Sequence, residues 1–286
     1  MKISLFTQYG ALNSRPVFEA FEQGAQKLGY KVVLNDVDAD IFVIWSVLWE
    51  GRMKNNQQIW NLAKKNKKVV IVLEVGGLIR GKTWRIGLNH VNNLALFCHS
   101  DDFDELRPKK LGIFLCPRQN SGKNVLICGQ HSKSEQWSYR SSPEIWISDL
   151  VKEIKTYSNR KIVFRPHPRD YHWARSLLNL DIDIHIPQKI PGSYDDFDLN
   201  QDFKDAWCVI SPSSNPGIQA AIAGIPVFTD LDSLAYPVSN KNLSKIEHPE
   251  LPDREKWLIS VSHTEYLIEE ITEGTPIKQL LKNLDI

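Results

Sequence analysis

After Lys68 the chain reads Val-Val-Ile-Val-Leu, an unbroken apolar and mostly β-branched run. A strand with one wet face alternates apolar and polar side chains. A run without alternation is buried on both faces, as in a parallel sheet covered by helices. The flanking pattern agrees. Residues 2–7, 31–34 and 41–45 read as strands, and residues 16–28 and 57–65 as helices. Pro16 suits a first helical position and Gly29 a stop. This strand–helix alternation predicts a parallel α/β sheet. The pattern then restarts. Asn120-Ser121-Gly122-Lys123 reads as a polar hinge, and residues 125–128 as a new buried strand. Ser142 caps a helix with Pro143 at its first position. Strands follow at 161–164, 183–186, 207–210 and 225–229. A helix over 216–223 is closed by Gly224, and residues 265–284 read as an amphipathic helix. With 286 residues the chain exceeds what one hydrophobic core usually serves. The fold class expected is α/β, with two Rossmann-like units.

Composition narrows the class. Hydrophobic residues make up 42% and charged residues 24%, as in ordinary globular proteins. Cys98, Cys116, Cys128 and Cys208 lack paired metal or redox spacing and read as reduced thiols. No leader-like start or membrane-length apolar run is present, so a soluble cytoplasmic protein without membrane contact is expected. Net charge is +1, but residues 1–115 hold 16 basic and 11 acidic residues and are net positive. That half either meets a polyanion or simply carries a basic surface.

Two loops carry the chemistry. Arg165-Pro166-His167-Pro168-Arg169 follows one strand; its prolines stiffen it, and its arginines suit bidentate phosphate contacts. Ser211-Pro212-Ser213-Ser214-Asn215-Pro216-Gly217 follows another strand and opens a helix. Asn215 is the expected cap and Pro216 the first helical residue, while Gly217 permits close backbone approach. A helix N-terminus favours anions. In open α/β sheets, ligands bind at the carboxyl ends of strands. Together these loops suit a diphosphate. Gly-x-Gly-x-x-Gly and the Walker sequence are absent, which removes support for dinucleotide or P-loop nucleotide binding. No metal site is expected, since Asp181-x-Asp183 and Asp196-x-Asp198 fit solvated turns and the histidines lack ligand spacing.

The Arg-Pro-His-Pro-Arg loop, the Ser-Pro-Ser-Ser-Asn-Pro-Gly loop and the following Ala-Gly-Ile-Pro-Val resemble the donor half of GT-B glycosyltransferases. More narrowly, they resemble the His-Pro and Ser-Ser loops of capsule and sialyl-type transferases. Residues 81–89 and 262–266 are similar to a group of bacteriophage glycosyltransferases that modify 5-hydroxymethylcytosine. The resemblance implies two Rossmann-like domains facing across a cleft. An acceptor domain would span 1–118 and a nucleotide-sugar domain 119–260, with a helical tail, 261–286, returning to the first. It implies a nucleotide-sugar co-substrate, most simply a UDP-sugar, and no further cofactor. The diphosphate would meet Arg165, His167, Arg169, Ser211, Ser213, Ser214, Asn215 and Gly217. Gly129, Gln130 and His131 would lie beside it, with His131 aiding leaving-group departure. Residues 187–198 would hold the nucleobase.

An inverting transfer needs a carboxylate to take the acceptor proton. Glu74, after the buried strand, is the candidate; the alternative is a turn contact or a pair with Arg80 or Arg85. Asp101 and Asp102, after an apolar run at 95–98 read as a strand, are the reserve. A retaining transfer needs no such base. Trp45, Trp49, Arg52 and Lys54 follow one strand, and Arg80, Lys82, Trp84 and Arg85 follow another. Cations interleaved with tryptophan suit nucleic acid or carbohydrate. The phage resemblance implies double-stranded DNA with hydroxymethylated bases as acceptor, glucose or arabinose as sugar, a host-cytoplasmic location and a monomer. A cell-surface polysaccharide acceptor with a CMP- or UDP-sugar, and a non-catalytic binding protein, are the competing readings.

Overall fold

The computed structural model describes residues 1–119 and 121–282. Asn120 of the expected hinge and the last residues of the expected tail helix lie outside them. In chain order the first part forms β1 (Lys2–Leu5), α1 (Arg15–Lys27), β2 (Lys31–Leu34), β3 (Ile41–Trp45), α2 (Asn56–Lys65), β4 (Val69–Val75), β5 (Thr83–Leu88) and α3 (Arg107–Lys110). The middle forms β6 (Asn124–Cys128), α4 (Pro143–Tyr157), β7 (Ile162–Arg165), β8 (Asp183–Ile184), α5 (Leu199–Lys204), β9 (Ala206–Ile210), α6 (Asn215–Ala223) and β10 (Val227–Phe228). The chain closes with α7 (Glu255–Ser262), β11 (Glu265–Leu267), α8 (Ile268–Thr272) and α9 (Thr275–Leu281). It divides into two compact units, Met1–Leu111 with Ile259–Ile286, and Gly112–Leu258. No helix among the described residues is long and apolar enough to cross a membrane.

The first unit holds a six-stranded sheet in the order β11-β5-β4-β3-β1-β2. Strands β1 to β4 pair in parallel, and β5 and β11 are antiparallel additions. The doubly buried run splits by side-chain parity. Ile41, Val43, Trp45, Ile71 and Leu73 pack with Phe18 and Phe21 of α1 and Ile277 and Leu280 of α9. Phe42, Ile44, Val70 and Val72 pack with Trp60 and Ala63 of α2. Each fully buried aliphatic of this kind stabilises the fold by about 1.5–3 kcal/mol.

Three expectations change here. Residues 83–88, expected to follow a strand with Trp84 and Arg85 in the acceptor set, themselves form β5 between β4 and β11. Residues 95–98 form no strand; Leu96 makes a single bridge to Leu88. The tail begins as β11 rather than a helix, because Glu265, Tyr266 and Leu267 pair with Arg85, Trp84 and Thr83.

The second unit holds an all-parallel sheet ordered β10-β9-β6-β7-β8. Val125, Ile127, Ile162 and Phe164 pack against Ile147, Val151 and Ile154 of α4. From β6 the chain winds outward through β7 and β8, then returns to the other side of β6 through β9 and β10. The order therefore reverses between β6 and β9, the place where such sheets open a crevice at their carboxyl ends.

Candidate active site

The loops after β6, β7 and β9 meet at that reversal. Ser213 Oγ lies 2.9 Å from Gln130 Oε1 and 3.0 Å from Gln136 Oε1. A hydroxyl has one hydrogen, so one of these amides turns its NH2 to the Ser213 oxygen. Gln130, His131 and Ser213 are all buried. The rings of His131 and His167 stand edge to face, 5.1 Å apart. His131 Nδ1 accepts the Lys133 N–H at 3.2 Å, and His167 Nδ1 accepts the Arg169 N–H at 3.1 Å. With Nδ1 accepting, each neutral ring carries its proton on Nε2. Asp170 closes the floor: its Oδ2 accepts the Ser132 N–H at 2.7 Å and lies 3.5 Å from His131 Nδ1.

Helix α6 opens one residue earlier than expected. Ser214 is its cap, and Asn215 and Pro216 are the first two helical residues. Ser211 and Ser214 hydroxyls bond each other at 2.8 Å. Pro216 has no N–H, and the Gly217 N–H is bonded to Ser214 O at 3.1 Å. The helix thus offers its dipole and cap hydroxyls more than a fan of donors. The two glycines expected to admit a ligand instead admit neighbours. A Cβ at Gly217 would stand 3.3 Å from Thr229 Cγ2, and one at Gly129 would stand 3.3 Å from the Phe164 ring and Pro166 Cα.

Arg165 also changes role. Its guanidinium is buried and bonded to Asp202 Oδ2 at 2.6 Å and Asp198 Oδ1 at 2.8 Å. Both terminal nitrogens serve carboxylates, so Arg165 ties residues 185–202 to β7 instead of gripping an anion. The segment proposed for a nucleobase is itself folded on these anchors, with Gln188 N donating to Asp198 Oδ1 and a bridge between Lys189 and Phe197. Arg169 is exposed and pairs with Asp195 at 2.7 Å. Arg140, missed in the sequence, is held by Asp230 and Asp232 over the Trp137 and Tyr139 rings.

In the first unit Glu74 lies inside β4, next to its carboxyl end. Its Oε2 accepts the Ser46 hydroxyl at 2.5 Å, and its Oε1 accepts the Val75 N–H at 2.8 Å. Burial raises the Glu74 carboxyl above its ordinary value; Ser46, Val75 and the charges of Arg85 and Arg80 restrain that rise. Register places Glu74, Arg85 and Glu265 in one row across β4, β5 and β11. Glu265 is fully buried and accepts four bonds: from Arg85 at 2.8 Å, Thr83 Oγ1 at 2.7 Å, Gly77 N at 2.7 Å and Leu78 N at 3.0 Å. The sequence signal for this clamp was the Ser-His-Thr-Glu-Tyr segment at residues 262–266, which carries Glu265.

The acceptor residues divide. Trp45, Trp84 and Trp49 are buried at 1%, 6% and 8% exposure. Trp45 packs on Trp84 and Phe18, and Trp49 on Trp60. A ring enclosed by core cannot stack on a base or sugar, so all three leave the acceptor set. Arg85 leaves it too, being buried against Glu265. Arg52, Lys54 and Lys82 are exposed and Arg80 is half-buried. Asp101 and Asp102 lie on a turn, with Asp102 paired to Lys282 at 2.8 Å and held below its usual range by that ammonium. Among the described residues, no group of three or more His, Cys, Asp or Glu is placed to hold a metal ion.

No family model matches the chain, and no curated protein is similar to it in sequence. Solved structures that share its fold include two from KpsC of Thermosulfurimonas dismutans. The beta Kdo 2,4 transferase is 11% identical with a TM-score of 0.55, over 95% of this chain and 98% of that one. The beta Kdo 2,7 transferase is 15% identical with a TM-score of 0.54, over 97% and 100%. At this identity the likeness is one of fold, and the chain has the α/β, GT-B-like fold of these two structures.

Proposed function

We propose that the chain is a glycosyltransferase that moves a sugar from a nucleotide-activated donor to a saccharide hydroxyl. The observation that carries this reading is the meeting of Gln130, His131, His167 and Ser213 at the β6/β9 reversal, beside the α6 N-terminus. Hydroxyl, amide and imidazole donors around a helix dipole suit the phosphate oxygens of a leaving nucleotide. The two structures of the same fold are Kdo transferases, which supports a sugar donor. Glu74 is the general base: it takes the acceptor proton as that oxygen attacks the anomeric carbon, while the bond to the donor phosphate breaks. His131 and His167, protonated on Nε2, stabilise the departing phosphate by hydrogen bonding. With Trp45, Trp49 and Trp84 in the core, aromatic support is lost for a base and a sugar alike, and the two Kdo transferases of the same fold favour the saccharide.

The test is incubation with a panel of CMP- and UDP-sugars, oligosaccharide acceptors and hydroxymethylated DNA, read by mass spectrometry. A sugar-sized mass gain on an oligosaccharide is expected. A gain on DNA alone would replace the acceptor, and no gain on any acceptor would refute transfer. Glu74→Gln should lower turnover by roughly 10²–10⁴-fold with donor affinity retained. Unchanged turnover would remove Glu74 from the reaction.

A further inference from the structure

Among the described residues, Ser46 is one of four non-glycine residues with positive φ, at 63°. A left-handed serine costs energy and persists only where its surroundings over-determine it. Here three bonds do so. Its own N–H donates to Leu73 O on β4 at 2.7 Å. The carbonyl before it, on Trp45, accepts Asn56 Nδ2 at 2.7 Å from the fully buried first residue of α2. Its Oγ accepts the Leu48 N–H at 3.1 Å. With that lone pair taken by Leu48, the hydroxyl hydrogen goes to Glu74 Oε2, 2.5 Å away. An extended residue at position 46 would continue β3 rather than turn its side chain to the end of β4.

We propose that Ser46 is a positioning residue for Glu74: its strained backbone aims a hydroxyl that holds the carboxylate in one orientation for accepting a proton. The inference rests on the glycosyl-transfer reading, and it deepens that reading by naming what orients the base. The groups that bear on Glu74 come from each neighbouring element. Arg85 lies opposite on β5, with one terminal nitrogen drawn to Glu265 of β11. Arg80 lies in the β4–β5 connection, and Ser46 at the end of β3. Ser46 differs from Arg85 and Arg80 in being an uncharged donor, and it reaches the carboxylate from beyond the end of a separate strand.

The experiment compares wild type with Ser46→Gly, which accepts φ of 63° without strain and removes the hydroxyl together with its methylene, and with Ser46→Ala, which removes the hydroxyl alone, as a second variant. Carbon-13 NMR of labelled Glu74, assigned with Glu74→Gln, reads the carboxyl titration without any substrate. Loss of a hydrogen bond to the charged form should move that midpoint upward by about 1–2 pH units in Ser46→Gly. The acid limb of kcat/KM should rise by the same amount, with kcat reduced at least tenfold on the plateau and donor KM unchanged. A midpoint and pH profile matching wild type would overturn the proposal. A shifted midpoint in a protein that transfers no sugar to any acceptor would instead sink the transferase reading, leaving Ser46 as the group that sets the ionisation of Glu74.

Discussion

Removing Arg165 should damage the second unit's stability before it touches donor affinity. Its side chain is 6% exposed, and that of Asp202 is 9% exposed, at 2.6 Å. Asp198, at 21%, completes the fork at 2.8 Å. Deleting the cation leaves Asp202 a buried carboxylate with His185 Nδ1 at 2.8 Å as its remaining side-chain neighbour. Removing one partner of a buried pair costs about 3–5 kcal/mol, because the other is left uncompensated. Asp198 is wetter and adds less. For a unit of this size, each 1 kcal/mol lowers Tm by about 2–4 °C, so Arg165→Ala should melt roughly 6–20 °C below wild type.

A double-mutant cycle identifies the cause. If the loss comes from a stranded carboxylate, Arg165→Ala in an Asp202→Asn background should cost much less than in wild type, with a coupling of about 1–3 kcal/mol. The acid limb should change as well. Burial alone pushes the Asp198 carboxyl up, but the Gln188 N–H and Arg165 outweigh it and hold it below its ordinary value. A depressed carboxyl adds stability that is present above its unfolded pKa of about 3.9 and is lost as pH falls through the native value. Without Arg165 that acid dependence should flatten. Additive losses would refute the stranded-carboxylate account, and an unchanged Tm with donor affinity down tenfold or more would show that Arg165 binds the donor phosphate directly.

Two other perturbations test the first unit. Glu265→Gln keeps the shape but removes the charge facing Arg85, and should destabilise by about 3–5 kcal/mol; amide exchange at Gly77 and Leu78 should accelerate, and unchanged exchange would deny the clamp. His263 is lowered from its ordinary value chiefly by burial, and its Nε2 is occupied as acceptor of the Asp104 N–H at 2.9 Å. The unfolded chain therefore binds a proton that the folded one refuses, and stability should fall as pH drops below about 6.5; a His263→Gln chain whose Tm declines as steeply as wild type between pH 7 and 5 would refute this.

The parts legible in the sequence were those set by short-range pattern. Unbroken runs such as 69–73, and Pro143 behind Ser142, mark elements because burial and capping act locally; Ser142 does accept the Ile145 N–H. What the sequence hid depends on distant partners. Residues 83–88 become a strand because 265–267 complete its other edge. Trp45 and Trp84 read as a binding surface until both faces of their sheet are seen to be covered. Arg165 resembled a phosphate grip because an arginine flanked by prolines looks free, while its carboxylates arrive 33 and 37 residues later. Ser46 carried no signal, since its φ is imposed by Leu73, Leu48 and Asn56 together.

The pairing of arginines with carboxylates has a consequence for how any anion is held. Arg140, Arg165 and Arg169 are matched by Asp230, Asp232, Asp198, Asp202 and Asp195. What converges at the β6/β9 reversal is a hydroxyl on Ser213, the amides of Gln130 and Gln136, and two imidazoles whose Nδ1 atoms accept backbone N–H groups, with the Asp170 carboxylate 3.5 Å from His131 Nδ1. Charge–charge attraction to exposed cations is screened over about 8 Å at physiological ionic strength, whereas short hydrogen bonds are not. Donor affinity should therefore change less than threefold between 50 and 500 mM salt, by about 0.6 kcal/mol or less. A tenfold loss of affinity over that salt range would show that exposed cations such as Lys133 carry the contact, and would return the site to the charge-driven grip that the sequence first suggested.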